Sequence, residues 1–117
     1  MGPTLSRQSD KRVRLYEAIH MNDLDLVAVL IKEGVDISSA FFTGYSPLVT
    51  ACLEARTDIF KLLLENHADI KTRTSFGLTI YHYVHMCENS ELVQILEEHR
   101  NLKKNKLKKL IRRISSP

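Results

Sequence analysis

The chain repeats itself every 33 residues, and that period restricts its possible folds more than any other feature. Segments 13–35, 46–68 and 79–101 align without a gap. Leu15 then falls over Leu48 and Tyr81, Ala18 over Ala51 and Val84, Leu26 over Ile59 and Leu92, and Leu30 over Leu63 and Leu96. Acidic and glycine columns keep the same step: Asp25, Asp58 and Glu91 in one, Gly44 and Gly77 in another, with the pairs Asp36-Ile37 and Asp69-Ile70 beside them. Chance alignment of short apolar runs does not hold apolar, acidic and glycine columns in register together. Such a period marks a stack of supersecondary units, each unable to bury its apolar faces alone.

Each unit reads as two short helices and an extended turn. In the middle unit Ser46 can cap a helix with its hydroxyl, and Pro47 suits the first helical position, where no amide donor is needed. Leu48, Ala51 and Cys52 recur at helical spacing. A second helix begins near Thr57-Asp58, where an acid favours the positive end of the backbone dipole, and Ile59, Phe60, Leu62, Leu63 and Leu64 supply its buried side. Asn66-His67 stops it, at the place held by Gly34 in the first unit. Small residues at 18 and 51 let adjacent first helices approach closely.

Ser46-Pro47-Leu48-Val49-Thr50-Ala51 and Leu62-Leu63-Leu64-Glu65-Asn66-His67-Ala68-Asp69-Ile70 resemble the opening and closing motifs of the ankyrin repeat, whose period is also 33. Serine stands for threonine and valine for histidine at the opening, and His67 replaces the closing glycine. The third unit keeps the family's Thr79 and His82 but has Ile80-Tyr81 where proline and leucine belong. The first keeps Leu15, Ala18 and Gly34-Val35-Asp36-Ile37 but opens on Val13-Arg14. Decay at both ends around a good middle fits capping units whose outer faces meet water, and Glu97 in the column of Leu64 fits a solvated last helix. The resemblance implies an all-α solenoid of three repeats, 12–40, 41–73 and 74–102, with projecting turns. Ahead of it lies a flexible segment 1–11, and behind it a basic tail 103–117.

The same resemblance implies a binding module, with a partner against the concave side formed by turn tips and first helices. By register that surface takes Phe42, Thr43 and Tyr45 on one tip and Arg73, Ser75, Phe76 and Leu78 on the next. His20-Met21, Leu53, Glu54 and Met86 follow from the first helices. Exposed apolar patches bearing aromatics mark interaction sites. The competing reading folds Phe41 or Phe42 and Phe76 back over the core.

Catalysis needs a nucleophile, a base and a group that stabilises charge. The nearest cluster is His82, His85 and Cys87, and it lacks a fourth ligand and the paired spacings of a zinc site. His82 is the repeat's own histidine, Cys52 sits in a core column, His20 and His67 stand alone, and the 4 glycines build no phosphate cradle. The expectation is a non-enzyme that needs no cofactor or metal. Two cysteines, no apolar leader-like start and no long apolar run favour the cytoplasm or nucleus, with a monomer expected. Gly2 and Ser6 match a loose myristoylation pattern that Pro3 should obstruct.

The net charge of +3 conceals an asymmetry. Residues 1–102 hold 10 Lys/Arg against 14 Asp/Glu, a net of −4, whereas residues 103–117 hold 7 basic residues and no acid. In that tail Leu107, Leu110, Ile111 and Ile114 follow helical spacing among Lys103, Lys104, Lys106, Lys108, Lys109, Arg112 and Arg113. The readings open at this point are a cap docked on the third unit, a signal for a nuclear-import receptor, and a ligand for an anionic membrane or calmodulin. Nucleic acid ranks last, since cations alone attract it without sequence preference. Arg112-Arg113-Ile114-Ser115 also resembles a kinase site at Ser115. The favoured function is protein recognition as inhibitor or adaptor; the alternative is an anionic-ligand binder acting through the tail.

Overall fold

A computed structural model describes the backbone of residues 3–115 and the side chains of 9–114. Gly2 and the side chains of Ser6 and Ser115 lie outside the described residues, and with them the acylation and phosphorylation patterns. The described residues form six helices and no strand: α1 (Pro3–His20), α2 (Leu24–Lys32), α3 (Pro47–Leu53), α4 (Thr57–Glu65), α5 (Ile80–Met86) and α6 (Ser90–Ser115). They pair as α1/α2, α3/α4 and α5/α6, in the 33-residue register of the sequence. First helices α1, α3 and α5 pack side by side, and second helices α2, α4 and α6 form a layer behind them. No helix among the described residues is long and apolar enough to cross a membrane.

The core lies between the layers and between the pairs. Leu15, Leu30, Ala51, Ile59, Phe60, Leu63 and Leu92 are completely buried. Each such leucine stabilises the fold by roughly 1.5–3 kcal/mol before conformational entropy is counted. α3 is enclosed almost all round, from Pro47 to Cys52, because it has neighbours on both sides. The outermost helices keep one wet face: Arg14 and Glu17 on α1, Glu97 and Glu98 on α6.

Turn chemistry repeats with the register. Asn22, Ala55 and Glu88, one column of the repeat, all adopt left-handed backbone, with φ of 58°, 57° and 51°. This residue reverses the chain between the paired helices. The next residue caps the second helix in the outer units: Asp23 Oδ1 accepts from the Leu26 amide at 3.1 Å, and Asn89 Oδ1 from the Glu91 amide at 3.0 Å. Arg56 holds this column in the middle unit and cannot accept. It reaches back instead, donating from Nε to the Ile19 carbonyl at 3.2 Å and from Nη2 to the His20 carbonyl at 2.6 Å. A cation thus meets the negative end of α1 and ties the first unit to the second.

The structure departs from expectation at both ends. The segment 1–11, expected to be flexible, is helical from Pro3, and α1 carries it into the first unit. A proline tolerated at a helix start and the absence of any stop signal before His20 explain the extension. Polar contacts anchor it. Arg12 donates to the carbonyls of Asp36 at 2.5 Å, Ser39 at 2.8 Å and Ala40 at 3.0 Å, and Lys11 donates to the Glu33 carbonyl at 2.9 Å.

At the other end the tail is no separate element. Gly34 and His67 end their helices in left-handed backbone, with φ of 84° and 67°; Arg100, in the same column, stays helical and lays its guanidinium 5.3 Å from the Tyr81 ring. α6 therefore runs for 26 residues without a break. Docking of the tail as a cap on the third unit is overturned, since every residue from 101 to 114 is exposed. The overhang accounts for a radius of gyration of 16.0 Å, where a compact chain of this length has about 13 Å.

His99 lies just before α6 leaves the body. Its Nε2 is buried with no hydrogen-bond partner among the described residues. Burial above all, and then Lys103, His67 and Lys106, holds its pKa below the ordinary 6.5. A histidine that binds its proton more weakly folded than unfolded stabilises the fold at neutral pH, and that contribution is lost as pH falls below about 6.5. Urea titrations should show stability falling from about pH 7 to 5.5 more steeply in the native protein than in His99→Gln; parallel slopes would refute this. A second expectation concerns exposed Ala55, whose Cβ is strained in the left-handed region. Ala55→Gly should stabilise by about 1 kcal/mol and raise the melting temperature by about 4 °C.

Candidate functional site

The two projecting turns are built alike. The Phe41 amide donates to the Tyr45 carbonyl at 2.8 Å and the Gly44 amide to the Phe41 carbonyl at 2.9 Å; Thr74, Leu78 and Gly77 repeat the pattern at 2.9 and 2.8 Å. Gly44 and Gly77 turn the chain with φ of 88° and 78°, which a side chain would strain. These closed turns lift the residues before each glycine away from the body.

The phenylalanines divide between core and solvent. Phe41 is 8% exposed, packed edge-on against Tyr16 at 5.3 Å beneath the Arg12 guanidinium at 5.0 Å. Phe42 is 86% exposed, in an edge-to-face contact with Tyr16 at 5.1 Å, and Phe76 is 71% exposed, its ring 6.5 Å from Tyr45. The folded-back alternative thus describes Phe41 alone.

Between the first turn and α1 lies a groove of 430 Å³, walled by Arg12, Val13, Tyr16 and Glu17 on one side and Phe41 and Phe42 on the other. Val13 and Tyr16 went unnoticed in the sequence because both stand beside the core stripe that Leu15 and Ala18 define. Their spacing from Arg12 and Glu17 supplied the missing signal: i, i+3, i+4 positions share one helix face. The Tyr16 ring also stacks on His20 at 6.5 Å, so the surface continues toward the C-terminal end of α1.

The other surface residues named from the register have mixed roles. Leu53 and Met86, which share one column of the repeat, are exposed, as is Met21. Thr43 and Ser75 stand open on the tips, and the Thr43 hydroxyl accepts from the Tyr45 amide at 3.3 Å. Glu54 is half-buried and engaged with His20 Nδ1 at 2.5 Å, which bridges α1 and the end of α3. Arg73 braces its own turn through the Gly77 carbonyl at 3.0 Å. Tyr45 and Leu78 are half-buried, and Tyr45 sits edge-on to buried Tyr83 at 5.8 Å. Tyr45, Leu78, Glu54 and Arg73 therefore shape the surface, while Phe42, Phe76, Leu53 and Met86 offer it area. Lys103, Lys104, Lys106, Lys108, Lys109, Arg112 and Arg113 lie away from it on the overhang of α6.

Two side chains with catalytic potential, those of His82 and Cys52, have other roles. His82 Nδ1 accepts from the Thr79 amide at 3.1 Å and serves the start of α5. No three potential metal ligands converge among the described residues. Cys52 and Cys87 bring their sulfurs within 3.8 Å of each other across the α3/α5 seam, a pairing hidden by their separation in sequence. Burial first, then the neighbouring thiol, pushes Cys52 up to about 12, far from a reactive thiolate.

Comparison with known proteins agrees with this architecture. Residues 5–74 match the family model of ankyrin repeats in three copies. Protein phosphatase 1 regulatory subunit 27 of Mus musculus is 38% identical over 55 residues, covering 47% of this chain and 36% of that protein. An ankyrin repeat protein of Borreliella burgdorferi is 32% identical over 94 residues, covering 76% of this chain and 42% of that protein. The chain thus spans less than half the length of each of these relatives.

Exposure separates neighbouring phenylalanines sharply enough to measure. Phe41→Ala should destabilise by about 3–5 kcal/mol. Phe42→Ala and Phe76→Ala should each cost under about 1 kcal/mol by chemical denaturation.

Proposed function

The chain belongs to the ankyrin-repeat family, and on that footing we propose that it captures a protein partner on the surface between its turn tips and first helices. One observation carries the reading. Phe42 and Phe76 are held out into water by closed glycine turns, although each has a ring beside it against which it could have been covered. Large apolar rings on rigid supports lose little conformational entropy when a partner covers them, which suits them to be hot spots. The groove at Tyr16 extends the same surface by a pocket into which one partner side chain fits.

Repeats of this family mediate protein–protein contact, and one relative is named as the regulatory subunit of a phosphatase. Both favour a regulatory, non-catalytic role. The sequestered Cys52 and the capping His82 point the same way. We favour an inhibitor that masks its partner through this face over an adaptor that joins two. With only two cysteines, we place this activity in the reducing cytoplasm or nucleus, and a single copy carries the whole surface.

The test is affinity capture from cell lysate with the native chain and with Phe42→Ala/Phe76→Ala as baits. The partner recovered by the native chain should bind the double variant at least about tenfold more weakly, with melting temperature little changed. It should still bind a chain truncated after residue 102. Retention by the double variant combined with loss on truncation would transfer the activity to the tail.

A further inference from the structure

Beyond Leu102, α6 leaves the repeat body and carries residues 103–114 into solvent. Leu107, Leu110, Ile111 and Ile114 fall on one stripe of this overhang at i, i+3, i+4 and i+7, and all four are exposed. Lys104, Lys108 and Arg112 run down one flank of the stripe, and Lys106, Lys109 and Arg113 down the other. No acid interrupts them. We propose that this end of α6 is a docking surface for an anionic lipid bilayer.

Charge and shape together select that occupant. A second copy of the chain would bring 7 cations against 7, so pairing through this stripe is repelled. A nucleic acid would take the cations but leave four large aliphatic side chains in water. A helix-binding groove on an acidic protein gains most from aromatic anchors, and this stripe holds only leucine and isoleucine. The bilayer boundary satisfies both halves. Aliphatic side chains enter beneath the headgroups, while lysine and arginine stems lie along the apolar surface and deliver their charges to lipid phosphates and carboxylates. The body's net charge of −4 is repelled by the same surface, so it stands off at the other end of a long molecule. The stripe covers only two helical turns, which gives shallow and reversible attachment rather than insertion.

Sedimentation of the full chain with vesicles tests this, using phosphatidylcholine alone and phosphatidylcholine with about one-third phosphatidylserine at about 0.15 M salt. Binding to the anionic vesicles should exceed binding to neutral ones by at least about tenfold and should fall as salt rises. Leu110→Ser/Ile114→Ser and, separately, Lys108→Gln/Arg112→Gln should each reduce it by about tenfold or more, with unchanged melting because these positions are exposed. Phe42→Ala/Phe76→Ala should bind vesicles like the native chain, which keeps this outcome distinct from the groove's. Equal affinity for both vesicle types, or for neither, would overturn the proposal. So would full binding by the serine variant, or tighter capture of the tail by calmodulin or duplex DNA than by anionic vesicles.

Discussion

Phe60, Leu63 and Leu48 are out of water only because helices from neighbouring units close over them. A single pair of seven- and nine-residue helices has too little surface for this. α3 and α4 need α1 and α2 on one side and α5 and α6 on the other. That mutual cover dictates the placement of nearly everything else: small or flat side chains at the seams, charged residues on the two outermost faces, and turns pushed to one edge, where their tips reach solvent.

Polar contacts then fix how the covered units sit. Arg12 gathers three carbonyls of the loop before the first turn and lies over Phe41, so α1 and that turn hold one geometry. Arg56 fastens the end of α1, and His20 meets Glu54 beside it. Asp36 and Asp69 organise the approach to each turn. Asp36 accepts from the amides of Ser38 at 2.9 Å and Ser39 at 3.1 Å, and Asp69 from the Lys71 amide at 2.8 Å and the Thr72 hydroxyl. Burial raises the pKa of Asp36, but its hydrogen bonds and Arg12 outweigh that and hold the carboxyl below its usual range. The aromatic tips are therefore presented on a braced frame.

The repeat register carried most of this architecture, because a 33-residue period ties each residue to its counterpart in the next unit. It located α3, α4 and α5, the capping Ser46 and the left-handed stop at His67, and it singled out the exposed rings Phe42 and Phe76. It failed where the register breaks. Arg100 replaces a stop residue, and reading the tail as a new element overlooked that nothing there ends the preceding helix. Contacts between units were hidden for a different reason. Arg56 in place of a cap, Tyr16 against Phe42, and Cys52 against Cys87 join residues far apart in the chain, and local spacing says nothing of such partners.

The uninterrupted backbone of α6 has a mechanical consequence. A flexible linker would let the repeats tumble independently of whatever gripped the tail. A rod that is packed at one end and bare at the other transmits torque. Since each residue turns a helix by about 100°, the angle between the aliphatic stripe and the turn tips is set by the number of residues between them. Inserting or deleting one residue after Leu102 would swing that stripe around the axis without touching the body, and the chain would present its tips in a different direction.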